Sequence, residues 1–300
     1  MELRQLQYFV KVAKKQHVTQ AAEELHVAQS AVSRQIHQLE EELGMQLFVQ
    51  KGRNLQLTPV GKLFLMRMEE LLSGLDKAVN EMREFLDPEL GEVRIGFPHT
   101  LGISLIPKVV AEFRKGHPQV KFRLKQGTFS SLIRDVTRGE VDLAFISPFP
   151  ERHDQVDGEM LLTEELYAVL PTGHPLAGQE SIRLEQLKDD PFVMFSDNYS
   201  LRSIVYNACK EAGFTPQIGF EGEETDTIRG LVAAGMGVGL LPEMALTEIS
   251  DLMPVKVRVT HPRVTRTIGL VRRKGEKLPI VAEMFQRFLF NHFREDPLES

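Results

Sequence analysis

A long apolar repeat in the first third of the chain is the feature that most restricts its fold. The apolar residues of this stretch step by 4, 3, 4, 3, 4 and 3 positions, as Phe64, Met68, Leu71, Leu75, Ala78, Met82 and Phe85. A sustained seven-residue period is typical of two helices that pack along a common seam. The alternative is an amphipathic helix that packs on its own domain. The repeat predicts a linker helix over residues 59–87, begun by Thr58-Pro59, and favours a chain that pairs with a second copy.

Composition limits the class of protein. The chain has 300 residues, enough for about two domains, with 42% hydrophobic and 26% charged residues, which fits a folded soluble protein. Its single cysteine, Cys209, excludes an internal disulfide and a cysteine-based metal site. The N-terminal residues lack the pattern of a secretory signal, and the longest uncharged apolar stretch, Gly230 to Pro242, is too short to span a bilayer. We expect a cytoplasmic protein without a membrane partner.

Residues 1–58 show the order helix, helix, turn, helix and β-hairpin, which predicts a winged helix-turn-helix. The first helix covers 3–14, and its apolar stripe is Leu3, Leu6, Val10 and Ala13. A short second helix runs to Leu25, with Thr19 as its expected cap. The third covers 29–43, buries Val32, Ile36, Leu39 and Leu43, and ends at Gly44. Strand-like runs at 47–49 and 55–57 flank a basic tip.

The third helix has a polar face opposite its apolar stripe. Gln and Arg side chains suit adenine and guanine edges in the major groove, and small hydroxyls suit phosphates. A solvated helix face is the alternative, but the preceding helix, the tight turn and the basic wing favour DNA. The seven Lys and Arg of residues 1–58 exceed six Asp and Glu, a balance of +1 in a chain of net charge −6. The candidate DNA contacts are Thr19, Gln29, Ser30, Ser33, Arg34 and His37, with Lys51 for a phosphate and Arg53 for the minor groove.

From residue 92 onward short strands alternate with helices. Predicted strands cover 93–97, 120–125, 143–146, 166–170, 192–195, 238–241, 255–259 and 267–271, and predicted helices cover 103–115, 131–138, 201–212, 227–234 and 279–293. This alternation predicts an α/β fold with mostly parallel sheets. Two such sets indicate a bilobed effector domain over residues 92–300. We place lobe I at about 92–162 and 268–293 and lobe II at about 163–267.

Small polar residues follow several of these strands. Ligands of open α/β sheets lie beyond the carboxyl ends of strands, near helix N-termini that favour carboxylates. We therefore expect a small anionic effector between the lobes, with His99 and Arg202 as the charged groups nearest to it. A helix cap, a surface cation or a plain loop histidine is the alternative at each position. The candidate effector contacts are His99, Thr100, Ser104, Thr128, Ser130, Ser147, Ser196 and Arg202.

Catalysis and metal binding find little support. The AGMGVG stretch at 234–239 lacks the spacing of a dinucleotide loop and precedes a strand instead of following one. The nine histidines include no pair at metal-ligand spacing, and no Ser-His-Asp arrangement is identifiable. A transport solute-binding protein would share two lobes but not a winged helix. An enzyme with a fused helical dimerisation segment is the other rival. We expect neither an enzyme nor a cofactor.

The segment from Leu3 to Pro59 resembles the winged helix-turn-helix of LysR-type transcriptional regulators. AAEEL, QSAVSRQI, the LF run and LTPVG carry the resemblance, and VDLAF, HPLA and AGMGVGLLP extend it over the effector domain, which in this family resembles periplasmic binding proteins. The family pattern places Gln29, Ser30, Ser33 and Arg34 on DNA-contacting positions and Arg53 on the wing contact. Many members have Ser or Thr where this chain has Ala28, so the cap of the third helix is weaker here or is supplied by Ser30.

The resemblance also implies how such a protein works. Paired recognition helices would read an interrupted palindrome in double-stranded DNA, with half-sites about 34 Å apart or a multiple of that distance. It implies a homodimer through the linker helix, a homotetramer through the effector domains, and contact with RNA polymerase. VRIGFPHTLGISLIP and FLDPELG are most similar to a subgroup that activates glutamate synthase genes. That similarity implies an activator of nitrogen metabolism genes controlled by 2-oxoglutarate or glutamate.

Overall fold

The N-terminal unit is a winged helix-turn-helix continued by one long helix. The computed structural model describes residues 1–51, 54–86, 90–150, 152–246 and 253–295. Two compact units, Met1–Val79 and Asn80–Ser300, divide the chain. The elements of the N-terminal part are α1 (Leu3–Lys15), α2 (Val18–Glu24), α3 (Gln29–Leu43), β1 (Phe48–Lys51), β2 (Asn54–Leu57) and α4 (Pro59–Leu86).

The core of this unit forms where α1, α3 and the start of α4 meet. Phe9 is fully buried, and its ring lies 5.4 Å from that of Phe48 and 5.0 Å from that of Phe64. The predicted stripe of α3 is confirmed, with Val32, Ile36 and Leu39 buried and Leu43 half-buried. On α1 the predicted stripe is confirmed at Leu6 and Ala13, but Val10 is half-buried and Leu3 is exposed. The helix also buries Gln5, Tyr8, Phe9 and Val12.

Two helix ends test the capping predictions. Gly44 ends α3 with φ of 67°, a left-handed conformation that glycine adopts without strain. The prediction for α2 was wrong, because the helix begins at Val18 and the imidazole Nδ1 of His17 accepts the Gln20 N–H at 3.5 Å. Thr19 therefore lies inside the first turn, where its side chain is exposed. A histidine cap is missed when only small hydroxyl and carboxamide residues are considered.

The second unit has two lobes joined by long strands. Its strands are β3 (Glu92–Phe97), β4 (Lys121–Gln126), β5 (Leu143–Ile146), β6 (Val156–Leu170), β7 (Ser181–Arg183), β8 (Pro191–Phe195), β9 (Gln217–Gly222), β10 (Gly239–Pro242), β11 (Val255–His261) and β12 (Thr265–Arg273). Its helices are α5 (His99–Gly102), α6 (Leu105–Gly116), α7 (Phe129–Thr137), α8 (Ser200–Glu211), α9 (Thr225–Ala233) and α10 (Ile280–Glu295). The helix predicted over 103–115 is α6, preceded by the short α5, which was not predicted. The strand predicted at 166–170 is the end of the fifteen-residue β6.

The sheets are mixed, which corrects the expectation of mostly parallel pairing. One sheet has the order β4-β3-β5-β12-β6-β11-β7, with β10 also paired to β6, and β8 pairs with β9 in a separate sheet. Strands β3, β4 and β5 run parallel, whereas β12 pairs antiparallel with both β5 and β6. The chain enters the second lobe along β6 and returns along β12, so these neighbouring strands run in opposite directions and pair antiparallel.

Each lobe has its own hydrophobic core. In one lobe, helices α6 and α10 pack their aromatic rings together, with Phe113 5.1 Å from Phe285. In the other, Leu166–Leu170 of β6 packs with strands β8 and β10 and helices α8 and α9. Strands β6 and β12 connect the two cores, and the Leu166 N–H donates to the Val264 carbonyl at 2.8 Å where they cross. None of the described helices combines the length and apolar character needed to cross a membrane.

Candidate DNA-recognition surface and effector site

Helix α3 turns its polar face outward. Gln29, Ser30, Arg34 and His37 are exposed and Ser33 is half-buried, opposite the apolar residues that anchor the helix. Within the face, the Gln29 amide donates to the Ser33 hydroxyl at 3.1 Å. Arg34 has no hydrogen-bond or ion-pair partner among the described residues, so its guanidinium is available for the two parallel hydrogen bonds that a guanine edge accepts.

Two other positions of this surface differ in how they are held. His37 Nε2 lies 3.3 Å from the Glu41 carboxylate, so a DNA contact by His37 competes with this pair. The N-cap residue of α3, Ala28, makes no side-chain cap, and Ser30 does not replace it within the described structure. Uncapped N–H groups at a helix N-terminus are chemically suited to a DNA phosphate.

The wing is held against α3 and α4 by hydrogen bonds that backbone groups make with side chains and with each other. The Glu40 carboxylate of α3 accepts the N–H groups of Leu47 and Phe48 at 2.7 and 3.1 Å. The Thr58 N–H donates to the Leu47 carbonyl at 2.9 Å, and its hydroxyl caps α4 through Gly61 N–H. A Cβ on Gly61 would lie 2.1 Å from the Leu47 carbonyl oxygen, which explains a glycine there. Lys51 pairs with Asn54 at the end of β1; its side chain, and the whole of Arg53, lie outside the described residues.

The apolar repeat of α4 divides into two parts. Phe64 is half-buried and Met68 is 8% exposed, because both pack on the core of their own domain. Farther along, Leu71, Leu75 and Met82 are 47%, 41% and 65% exposed. The start of the helix therefore fits the alternative of packing within one domain, whereas the later turns leave an apolar stripe on the surface. The side chain of Phe85 is not among those described.

A small cavity lies between the lobes of the second unit. Its volume is about 30 Å³, which holds about two waters. A larger groove of about 500 Å³ shares Phe129, Tyr199 and Ser200 with its wall. The Ser200 hydroxyl donates to the Ser147 carbonyl at 2.8 Å, so the lobes touch beside the cavity. The residues around the cavity are Pro98, His99, Thr100, Gly127, Thr128, Phe129, Ser147, Phe195, Tyr199, Ser200, Leu201, Glu223, Thr225 and Arg266.

Buried polar atoms without hydrogen-bond partners concentrate at this cavity. Among the described residues four side-chain atoms are in this state, and three of them belong to its wall: Ser147 Oγ, Thr225 Oγ1 and Arg266 Nη2. Ser147 and Thr225 are each 4% exposed and Arg266 is 2% exposed. A buried polar group without any partner costs about 1–3 kcal/mol, so these three atoms are the groups of the wall that water or a bound ligand would satisfy.

Arg266 forms the floor of the cavity and is fixed from two sides. Its Nη1 donates to Thr100 Oγ1 and its Nε donates to Glu164 Oε2, both at 2.7 Å. Nη2 also lies 2.7 Å from Glu164 Oε2, but without the alignment of a hydrogen bond. Burial lowers the pKa of the Arg266 guanidinium against the opposing effect of Glu164. An arginine remains protonated in proteins, so Arg266 offers the cavity a charged N–H donor whose charge Glu164 balances.

Four of the eight predicted effector contacts line the cavity. His99, Thr100, Thr128 and Ser147 come together because the parallel strands β3, β4 and β5 end at the same edge of their sheet. Thr128 also caps α7, accepting the Ser131 N–H at 3.4 Å. Thr128 therefore fits both the prediction of a residue lining the effector site and the alternative of a helix cap.

The other four lie elsewhere. Ser130 lines the adjoining groove, Ser196 donates to the Gly222 carbonyl at 3.3 Å, and Ser104 Oγ is buried outside the cavity wall without a partner. The expectation for Arg202 needs correction. Its Nη1 donates to the Phe195 carbonyl and to Glu221 at 2.9 and 2.7 Å, and its Nε lies 2.6 Å from Asp197. These bonds hold the guanidinium outside the cavity wall and already neutralise its charge.

Sequence reasoning missed Arg266, Thr225, Tyr199 and Ser200. Thr225 begins α9 after β9, a strand that was not predicted, whereas Ser200 begins α8 after β8, which was predicted. The rule that finds polar residues after strands therefore covers both, but it was applied only to Ser196 and Arg202 after β8. Burial, and then the charges of Glu223 and Glu224, raise the pKa of the Tyr199 hydroxyl. Glu223 also lines the cavity, where it contributes an exposed carboxylate from lobe II.

Other chemistry finds no site in the described part of the chain. No group of three or more His, Cys, Asp or Glu residues there is arranged to hold a metal ion. Burial raises the pKa of the Cys209 thiol to about 12, which leaves almost no thiolate at neutral pH. Cys209 is thus a packed core residue.

Comparison with known proteins identifies the architecture. Residues 3–62 match the bacterial regulatory helix-turn-helix proteins of the lysR family, and residues 87–294 match the LysR substrate binding domain. Transcriptional dual regulator GltC of Bacillus subtilis (strain 168) is 44% identical over 293 residues, which are 98% of each chain. Full-length CbnR complexed with its target DNA shares the fold, with a TM-score of 0.78 at 24% identity over 97% of this chain and 99% of that chain.

A further structure resembles the second unit. The effector binding domain of QuiR in complex with shikimate has a TM-score of 0.62 at 28% identity, and the match covers 68% of this chain and 98% of that chain. Both family matches, and full-length similarity to a regulator, point to transcriptional control rather than to an enzyme. The chain belongs to the LysR family of DNA-binding transcriptional regulators.

Proposed function

We propose that this regulator reads DNA through the exposed face of α3 and responds to a small carboxylic acid held between its effector lobes. The observation that carries the effector proposal is that three buried polar atoms of residues around one cavity make no hydrogen bond within the protein. Hydroxyl groups and an arginine N–H are the donors that a carboxylate requires. Two of the three atoms come from opposite lobes, so one ligand that satisfies both also holds the lobes together.

The charges around the cavity support a choice between the two candidate effectors, 2-oxoglutarate and glutamate. The Arg266 guanidinium and the N-terminal end of α7 favour one carboxylate. Glu223 disfavours a second carboxylate on the lobe II side and favours an ammonium group there. Glutamate carries such a group and 2-oxoglutarate does not. QuiR, whose effector domain resembles this one, holds the carboxylic acid shikimate.

The size of the cavity places a condition on binding. A volume of about 30 Å³ is too small for a five-carbon dicarboxylic acid. Binding therefore requires Phe129 and Tyr199 to move or the lobes to separate, and either movement joins the cavity to the groove beside it.

For DNA, we propose that Arg34 reads a base edge and that Gln29, Ser30, Ser33, His37 and Thr19 contribute base or phosphate contacts, with Lys51 and Arg53 of the wing on the flanking backbone and minor groove. The exposed apolar stripe of α4 supports pairing with a second copy, which would present two recognition helices to an interrupted palindrome. A homotetramer, a contact with RNA polymerase and activation of nitrogen metabolism genes complete the proposal. The similarity to GltC supports this last part.

The experiment is a fluorescence-anisotropy titration of the protein onto its own upstream intergenic DNA at fixed salt. It is run without effector, with 2-oxoglutarate and with glutamate. Specific binding that shifts with one acid supports the proposal and identifies the ligand. Specific binding that ignores both acids contradicts the proposed effector but not the regulator, and binding no tighter than to scrambled DNA contradicts the DNA-recognition surface.

A further inference from the structure

A buried ion pair lies where the two lobes are joined. Glu164 of β6 and Arg266 of β12 are register partners in the antiparallel ladder, close to the Leu166–Val264 hydrogen bond at which both strands pass between lobes. Their side chains are 3% and 1% exposed. Taking two charges out of water is strongly unfavourable unless each finds good partners. The stability of the pair therefore depends on the further hydrogen bonds that Glu164 and Arg266 make.

The partners in these hydrogen bonds come from two segments that meet between the lobes. On one side Arg266 Nη1 donates to Thr100 Oγ1 of α5, at 2.7 Å. On the other side Glu164 Oε1 accepts the N–H of Met244, at 2.6 Å, from the 3₁₀ turn that follows β10. Thr100 belongs to the lobe of β3. Met244 follows β10 of the other lobe, but its side chain packs on the core of the lobe of β3, so its turn contacts both lobes. Rotation of one lobe about the crossing strands would stretch one of these bonds and leave part of the pair unsatisfied.

One residue of the pair, Arg266, also lines the proposed effector site. Arg266 Nη2 has no hydrogen-bond acceptor and Arg266 lines the cavity, as does Thr100. An acid in the cavity would offer Nη2 an acceptor and would compete for the Arg266–Thr100 bond. Glu164 is not part of the cavity wall, so it senses the ligand only through Arg266.

We propose that the Arg266–Glu164 pair is a positioning element that sets the angle between the effector lobes, and that an acid bound at Arg266 changes this angle. The second half rests on the proposed effector site, whereas the first half does not. A ligand can shift such an equilibrium only through different interactions with its two states, and the contacts of Arg266 to Thr100 and Glu164 provide them.

The test measures the distance between lobes in the full-length protein. Cysteines replace two exposed lysines, Lys277→Cys in one lobe and Lys188→Cys in the other, and both receive spin labels for pulsed dipolar spectroscopy. Native Cys209 stays unlabelled because its thiol is buried with a pKa of about 12. An excess of unlabelled chain removes distances between subunits.

Two double variants distinguish a specific effect of the Arg266–Glu164 pair on the angle between the lobes from general destabilisation. The double variant Glu164→Gln, Arg266→Gln, called the hinge variant below, removes both charges and leaves no unpaired ion buried. The matched control, Asp142→Asn with Arg94→Gln, removes another buried pair, whose Arg94 Nη2 lies 2.5 Å from Asp142 Oδ1 within one lobe. Without ligand, we expect a broadened or shifted distance distribution in the hinge variant and the parental distribution in the control. An unchanged hinge variant, or an equal change in the control, would overturn the proposal.

The ligand arm adds 2-oxoglutarate, then glutamate, with calorimetry on the same samples. We expect a bound acid to shift the parental distribution and to leave that of the hinge variant unmoved. Heat of binding without any shift in the parental protein would refute the ligand-dependent half. If neither acid binds, the proposed effectors are wrong, while the ligand-free comparison still decides the role of the pair.

Discussion

Removing the buried hydroxyl of Thr225 should raise the stability of the effector domain and lower its affinity for the effector. Thr225→Val keeps the side-chain shape and removes a buried oxygen that has no partner in the ligand-free protein. An unsatisfied buried group costs about 1–3 kcal/mol, so removing it should stabilise the effector domain by up to that amount. A domain of this size gains roughly 2–4 °C in Tm per kcal/mol. We therefore expect thermal unfolding to move upward.

Effector binding should change in the opposite direction. A hydrogen bond to a charged group contributes about 1.5–3 kcal/mol, and each 1.4 kcal/mol is tenfold in affinity. If the Thr225 hydroxyl donates to the effector carboxylate, Thr225→Val should raise the Kd about 10- to 100-fold. Differential scanning calorimetry and isothermal titration with 2-oxoglutarate and glutamate measure the two effects on the same preparation.

Ser104 supplies the matched control. Its Oγ is also buried without a partner, but Ser104 does not line the cavity. Ser104→Ala should raise Tm in the same way and leave the effector Kd unchanged. The reasoning is refuted if Thr225→Val lowers Tm and keeps the parental Kd, because the hydroxyl would then be satisfied in the free protein and absent from the binding site.

Three further predictions address other parts of the molecule. Arg34→Ala should reduce discrimination at one base pair by about 1–3 kcal/mol. Arg34→Lys should keep non-specific DNA binding but should not restore this discrimination. A promoter footprint that is unchanged in both variants would contradict the recognition surface. Leu75→Glu places a charge on the exposed stripe of α4 and should dissociate the oligomer in sedimentation equilibrium, whereas Asp76→Asn should not, and an intact oligomer in Leu75→Glu would exclude pairing through this stripe. Native Cys209 should resist iodoacetamide at pH 8. Since folding raises its pKa from 9.0 to about 12, its stabilising contribution is complete below pH 9 and is lost as the pH rises through that window, a loss that Cys209→Ala should remove in alkaline unfolding.

The sequence predicts local structure best where several signals agree. For α3 the buried stripe of Val32, Ile36 and Leu39 and the glycine at 44 coincide, and its predicted bounds are those observed. The strand-end rule brings Thr100, Thr128 and Ser147 to one cavity, because parallel strands of one sheet end at a common edge. Here the function of a residue follows from its position along a strand, which a sequence shows directly. The DNA contacts, the effector contacts and the domain boundaries that the sequence predicts remain predictions.

Long-range pairing is what the sequence does not show. Arg202 follows a strand, as a ligand-binding cation would, but Glu221 and Asp197 already neutralise it, and only the fold brings Glu221 close. Arg266 stands among alternating residues of β12 and looks like a solvent-facing cation. Its partner Glu164 is 102 residues away in the chain, and only the antiparallel pairing of β6 with β12 buries the two together. The same pairing explains why the sheet is mixed.

The most direct measurement of the central claim is an operator titration with the double variant Ser147→Ala, Thr225→Val. Anisotropy is recorded at fixed salt, over a range of whichever acid shifts the parental protein. The account predicts parental DNA affinity in the absence of effector and an effector midpoint raised at least tenfold, about 1.4 kcal/mol, since two donors to the ligand are removed. An unchanged midpoint would contradict the account, because the cavity between the lobes would not be where the effector binds.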